Sequence, residues 1–161
     1  MPLCRVLVID DNTHIHRDFR KIVDTVESAT AWSAMARDPL SASMPPRARD
    51  FDVTCTDSGE SALRLVTSAV ARGEPFHVAF VDMRMPGWDG LATIEQLWRV
   101  QPELEVAISS AYMDHAWNTI IDRLQRPGLR LVPKPWKGSD VVAALHELRG
   151  RARKHAPRSR A

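Results

Sequence analysis

Five short apolar runs alternate along this chain with longer segments of helical period. The clearest run is Val78-Ala79-Phe80-Val81, which leads without a polar interruption into Asp82. A continuous apolar run of this length reads as a strand buried on both faces, as in the middle of a parallel sheet. Cys4 to Ile9 forms a second buried run and ends abruptly in Asp10-Asp11-Asn12. Phe51 to Thr56 alternates as a half-buried strand does, and Glu105 to Ser109 and Leu129 to Val132 supply a fourth and fifth strand. Between them lie amphipathic helical patterns. Their apolar positions are Ile15, Phe19, Ile22, Val23 and Val26, then Ala62, Leu63, Val66 and Val70, then Leu91, Ile94, Leu97 and Trp98. Trp117, Ile120, Ile121 and Leu124 mark a fourth helix, and Val142, Leu145 and Leu148 a fifth. Thr13 and Ser139 are expected to cap the first and last helices, and Asp114 to start the fourth. The alternation predicts an α/β fold, a doubly wound five-stranded parallel sheet with helices on both faces.

Residues 27–50 break the rhythm. Ala and Met extend the first helical pattern past Trp32, but Pro39 and Pro45-Pro46 must end it. A connection this long is unusual inside a compact domain and reads as a mobile loop or an added docking feature. Trp32 is expected to pack on the domain.

Composition narrows the class. With 161 residues, 44% hydrophobic and 26% charged, the chain suits one globular domain with a proper core. No apolar run approaches a membrane span, no secretory signal pattern opens the chain, and a cytoplasmic location is the default. Cys4 and Cys55 fall inside strands and read as small buried residues rather than a disulfide framework or metal site. His14 and His16 stand two apart, so they do not share a helix face as a metal pair would. Residues 149–161 carry six Lys/Arg and no acid, which leaves 16 bases against 20 acids in residues 1–148. A slightly acidic domain, residues 1–148, thus bears a short basic tail that is expected to be disordered.

The chemistry gathers at strand ends. Asp10 and Asp11, Asp82, Ser110 and Lys134 follow four different strands, and the carboxyl edge of a parallel sheet is where ligands bind. Singly, each has an ordinary explanation as a turn, cap or surface residue. Together they make a coherent site. Three neighbouring carboxylates repel unless a cation offsets them, and hard oxygen donors select Mg²⁺ or Mn²⁺. A fixed ammonium, a metal-ligating carboxylate and a hydroxyl are what an incoming phosphoryl group needs. Asp82 would then be the nucleophile, forming an acyl phosphate.

The motifs LVIDDN, VDMRMPGWDG, ISSAY and PKPW, in this order and spacing, resemble those of the receiver domains of bacterial two-component response regulators. The resemblance runs from about Cys4 to Leu148, apart from much of 27–50. It implies a flavodoxin-like strand order of 2-1-3-4-5 and phosphorylation of Asp82 by a sensor histidine kinase or a histidine phosphotransfer protein. By the same resemblance Asp11, Asp82 and the backbone carbonyl of Arg84 would ligate Mg²⁺ directly, and Asp10 through water. Lys134 would contact the phosphoryl oxygen and Ser110 would move toward it, while Gly90 would keep the loop after Pro86 compact. Phosphorylation would be read by a downstream protein through residues 113–149. The chain would catalyse only its own phosphorylation and dephosphorylation, and if complete it would be a single-domain regulator.

Three features depart from the family pattern. Leu131 stands where the fifth strand usually carries Tyr or Phe, so Tyr112 or Trp136 becomes the candidate to carry part of the switch. Arg84 and Tyr112 are bulky and flank the phosphorylation site, which implies slow self-dephosphorylation. Residues 27–50 have no counterpart in a minimal receiver. A phosphorelay intermediate and a scaffold that is never phosphorylated are alternative readings. A Mg²⁺-dependent phosphatase with an Asp nucleophile is disfavoured, because Arg84 stands where such enzymes keep a second acid and cannot exchange a proton. No membrane partner is expected. Six tail charges could give only weak, salt-sensitive contact with nucleic acid, which argues against it as a partner.

Overall fold

The computed structural model describes residues 3–37, 49–111 and 116–155, with no side-chain placement for residues 30–37 or Ala116. Five strands and five helices alternate: β1 (Cys4–Ile9), α1 (Thr13–Arg37), β2 (Phe51–Thr56), α2 (Gly59–Ala71), β3 (Val78–Asp82), α3 (Gly90–Val100), β4 (Glu105–Ser110), α4 (Ala116–Leu124), β5 (Arg130–Pro133) and α5 (Gly138–His155). The strands form one parallel sheet in the order β2-β1-β3-β4-β5. This is the expected doubly wound fold and strand order.

The period of two along each strand divides the core into two layers. Leu7, Ile9, Ala79, Val81, Val106 and Ile108 face Ala62, Val66 and Ala69 of α2, Ile94 and Leu97 of α3 and Ile120 of α4. Val6, Val8, Val78, Phe80, Ala107 and Val132 face Phe19 and Val23 of α1 and Val141, Ala144, Leu145 and Leu148 of α5. Strands covered on both faces need apolar residues at every position, which is why β3 reads as an unbroken run. The edge strand β2 keeps only Phe51 and Thr56 fully buried.

Several local expectations shift by one position. Asn12, not Thr13, caps α1: its Oδ1 accepts the His14 N–H at 3.0 Å, and Thr13 is already helical. Helix α5 begins at Gly138 with Lys137 O accepting the Asp140 N–H at 3.0 Å, so Ser139 lies within its first turn. Val141 rather than Val142 enters the core, and Ala69 rather than the exposed Val70 faces it from α2. Strand β5 runs one residue later than expected and includes Pro133.

The largest correction concerns the basic tail. Helix α5 does not stop at Leu148 but continues to His155 beneath the amino edge of the sheet. Arg149 is buried there, its guanidinium 3.1 Å from Asp50 Oδ1 and 5.1 Å from the centre of the Phe51 ring. Arg151 pairs with Glu147 one turn earlier and donates to Gly128 O, and His155 Nδ1 lies 3.6 Å from Glu105. These acceptors hold residues 149–155 in the helix, where a solvated run of charge was expected.

At the other end of the irregular segment, α1 reaches Arg37, two residues before Pro39, as proline geometry requires. Glu27 Oε1 accepts the Asp50 and Phe51 N–H groups at 2.9 and 3.0 Å, so one carboxylate ties α1 to the start of β2. The expectations for residues 38–48, Tyr112, a helix start at Asp114, residues 156–161 and the side chain of Trp32 lie outside the described residues.

Candidate functional site

The site forms at the carboxyl edge, where β1 and β3 lie side by side and the direction in which strands are added to the sheet reverses after β2. Connections leave β1 toward one side and β3 toward the other, opening a crevice at this switch point. Asp10 follows β1, and Asp82 is the last residue of β3; both are buried, at 2% and 8% exposure, while Asp11 is exposed. Each of Asp10, Asp11 and Asp82 offers a carboxylate oxygen, all within 4.8 Å of one another.

Lys134 completes the cluster from the far side of the sheet. Its Nζ lies 2.5 Å from Asp10 Oδ2 and 3.2 Å from Asp82 Oδ1. The position depends on β5 pairing with β4, because the Lys134 N–H donates to Ser110 O at 3.0 Å just past the last strand pair. One ammonium against three carboxylates leaves the site short of positive charge. Burial, then the neighbouring Asp10 charge, push the Asp82 carboxyl above its usual range, and Lys134 and the Arg84 N–H only partly offset this.

The other carboxylate is held more firmly. Asp10 Oδ1 accepts the Asn12 N–H at 2.9 Å, and its backbone N–H donates to Thr56 O at 3.1 Å. His16 Nε2 donates to Asp10 O at 2.8 Å, which requires the proton on that nitrogen because a carbonyl can only accept. His16 thus braces the turn beneath Asp10, a role that spacing alone does not disclose.

Behind Asp82 the loop is tight. A Cβ on Gly90 would stand 2.5 Å from Asp82 O and 2.7 Å from Met83 Cα, so no larger residue fits without moving the backbone at the end of β3. Asp89 then caps α3 by accepting the Ala92 N–H at 2.8 Å. The Arg84 side chain is exposed beside the site. Ser110 ends β4, buried, opposite Pro133, and Leu131 pairs with Ile108 while packing half-buried toward the α2–α4 layer.

One contact was not foreseen in this form. The Trp136 indole N–H donates to Ser109 Oγ at 2.7 Å, while its ring packs edge-on against Phe19 at 5.5 Å and Phe80 at 6.5 Å. A tryptophan just after a Lys-Pro pair was the only sequence signal for it.

Residues 40–146 match the family model of the response regulator receiver domain. The chain belongs to this family of two-component signalling domains. It is 25% identical over 135 residues to the transcriptional regulatory protein ZraR of Escherichia coli K12, covering 84% of this chain and 27% of that protein. To the DNA-binding transcriptional regulator NtrC of the same strain it is 34% identical over 93 residues, 58% of this chain and 19% of that protein. The chain therefore spans about a fifth to a quarter of these relatives' length. Their names give no support to the expectation that nucleic acid is not a partner. Among solved structures, a CheY-like receiver domain protein from Methanospirillum hungatei superposes with a TM-score of 0.70 at 16% identity, covering 96% of this chain and all of the other. A receiver domain protein from Clostridium thermocellum gives 0.68 at 17% identity, covering 94% and 98% of the two chains. Among the described residues, no helix is long and apolar enough to cross a membrane.

Proposed function

We propose that Asp82 accepts a phosphoryl group from a phosphohistidine on a sensor histidine kinase or histidine phosphotransfer protein. The observation that carries this reading is Lys134 Nζ set between Asp10 and Asp82 at the mouth of the switch-point crevice. An Asp82 carboxylate oxygen attacks phosphorus as the P–N bond to the donor imidazole breaks, and the bonding pair returns to the ring nitrogen. Burial strips Asp82 of water and leaves its oxygen reactive, and Lys134 neutralises charge on the transferring oxygens.

The donor set suits a hard divalent cation: three carboxylates in reach of one another, two buried and one open to water. Asp10, Asp11 and Asp82, with the backbone carbonyl of Arg84, would hold Mg²⁺ or Mn²⁺, which when bound supplies further charge neutralisation at the phosphoryl oxygens. Ser110 then donates its hydroxyl to a phosphoryl oxygen and draws the end of β4 toward Asp82. The phosphorylated arrangement is favoured by these contacts over one already accessible, and a downstream protein reads it through residues 113–149.

Intact mass after incubation with Mg²⁺ and acetyl phosphate tests the assignment, with Asp82→Ala alongside. One phosphoryl adduct is expected in wild type and none in the variant. An adduct that survives Asp82→Ala would refute Asp82 as the acceptor.

A further inference from the structure

The family position for a switching aromatic holds Leu131, which has no ring and no hydrogen-bonding group. Another aromatic is nonetheless tied to the end of β4. Trp136 lies two residues past Lys134, and its indole N–H reaches Ser109, the residue immediately before Ser110.

The placement of that bond separates it from ordinary satisfaction of a half-buried indole. Along β4, Ala107 faces the α1–α5 layer and Ile108 the opposite one, so by alternation Ser109 faces α1 and α5 while Ser110 faces away. Ser109 is 1% exposed and pairs in register with Asp82 on one side and Val132 on the other. Two neighbouring residues, Ser109 and Ser110, are therefore held from two directions. Lys134 N–H grips the Ser110 carbonyl, and Trp136 grips the Ser109 hydroxyl. Any pull on Ser110 toward Asp82 passes along the backbone to the adjoining Ser109 and reaches Trp136 through the hydroxyl–indole hydrogen bond. On its other side the Trp136 ring joins Phe19 and Phe80, whose rings are 4.8 Å apart and packed edge-on. Phe19 belongs to α1, so a shift of the indole has a rigid neighbour against which to register.

We propose that Trp136 is the positioning residue that carries the phosphorylation signal, through Ser109, into the α1–α5 layer. The proposal rests on the Asp82 reading above. Its consequence is that α1, and not only the surface formed by 113–149, takes part in the response.

The test uses the full chain labelled with 5-fluorotryptophan. The chain has five tryptophans, and the Trp136 fluorine line is the one missing from Trp136→Phe. Mg²⁺ and acetyl phosphate are added, and intact mass on the same sample gives the fraction phosphorylated. The Trp136 line is expected to move in step with the adduct. In Ser109→Ala the adduct should still form while the movement is lost, and Ser109→Thr, which keeps the hydroxyl, should restore it. An adduct in wild type with a stationary Trp136 line overturns the proposal and leaves the Asp82 assignment standing. An equal movement in Ser109→Ala also overturns it, since the signal would then bypass Ser109. No adduct in wild type removes the Asp82 reading and this inference together.

Discussion

The two edges of the sheet handle charge in opposite ways. At the carboxyl edge three carboxylates face one ammonium, and burial makes Asp82 harder to ionise. At the amino edge charges find partners: Arg149 with Asp50 and Phe51, and Arg5 with Asp52, the Glu74 carbonyl and the Phe76 ring. The backbone there closes on itself too, with His77 N–H donating to Arg5 O at 2.8 Å and Arg5 N–H to His77 Nδ1 at 2.9 Å. Even the Cys4 thiol is quiet, its pKa pushed up to about 11 by burial. One edge holds the structure together. The other keeps an excess of negative charge that a bound cation would relieve, a common signature of a working site.

The sharpest way to break this contrast is Asp82→Asn. It should abolish the phosphoryl adduct and, in metal-free buffer, raise Tm by a few degrees, because a neutral amide replaces a carboxylate that the fold disfavours. A lowered Tm would mean that the Lys134 contact outweighs burial and that the carboxyl edge is not under electrostatic load. At the amino edge the expected sign is reversed. Arg149→Ala should cost roughly 1–2 kcal/mol, through its lost stem packing, ring contact and ion pair. Urea denaturation should show this as a lower midpoint, with the adduct yield unchanged. An unchanged midpoint would return 149–155 to the status of a solvated tail.

His77 sharpens the comparison by pH. Burial first, then the nearby Arg5, lowers its pKa, so the folded chain holds it neutral while the unfolded chain takes up a proton near the ordinary value of about 6.5. Below that pH the unfolded state binds more protons, and stability falls as pH falls toward the lowered value. His77→Asn, which keeps an acceptor for the Arg5 N–H, should flatten the dependence of Tm on pH between about 7 and 5. A slope equal to wild type would assign the acid sensitivity elsewhere. The smallest effect is expected at Arg84, exposed beside Asp82. Arg84→Ala should shorten the acyl phosphate lifetime about threefold, less than about 1 kcal/mol of barrier, by opening a path for water. A longer lifetime in the variant would show that Arg84 does not shield the site.

The layered fold is legible along the chain. Strands buried on both faces must be apolar throughout, so β1 and β3 are visible as runs, and the helices by their period. The sequence also placed Asp10, Asp11, Asp82, Ser110 and Lys134 at strand ends, since each polar residue stands where an apolar run stops. Local pattern carries period and burial but not partners across the chain, and the rest needed the tertiary structure. Lys134 meets Asp10 across 124 residues only because β5 and β1 share one sheet. Arg149 meets Asp50 across 99 residues, which turns a run of basic residues from solvated tail into packed helix. Ser109 and Trp136, 27 residues apart, look like a turn residue and a core ring until the fold brings hydroxyl and indole together. Which charge is satisfied and which is left wanting depends on distances that the linear order of residues does not contain.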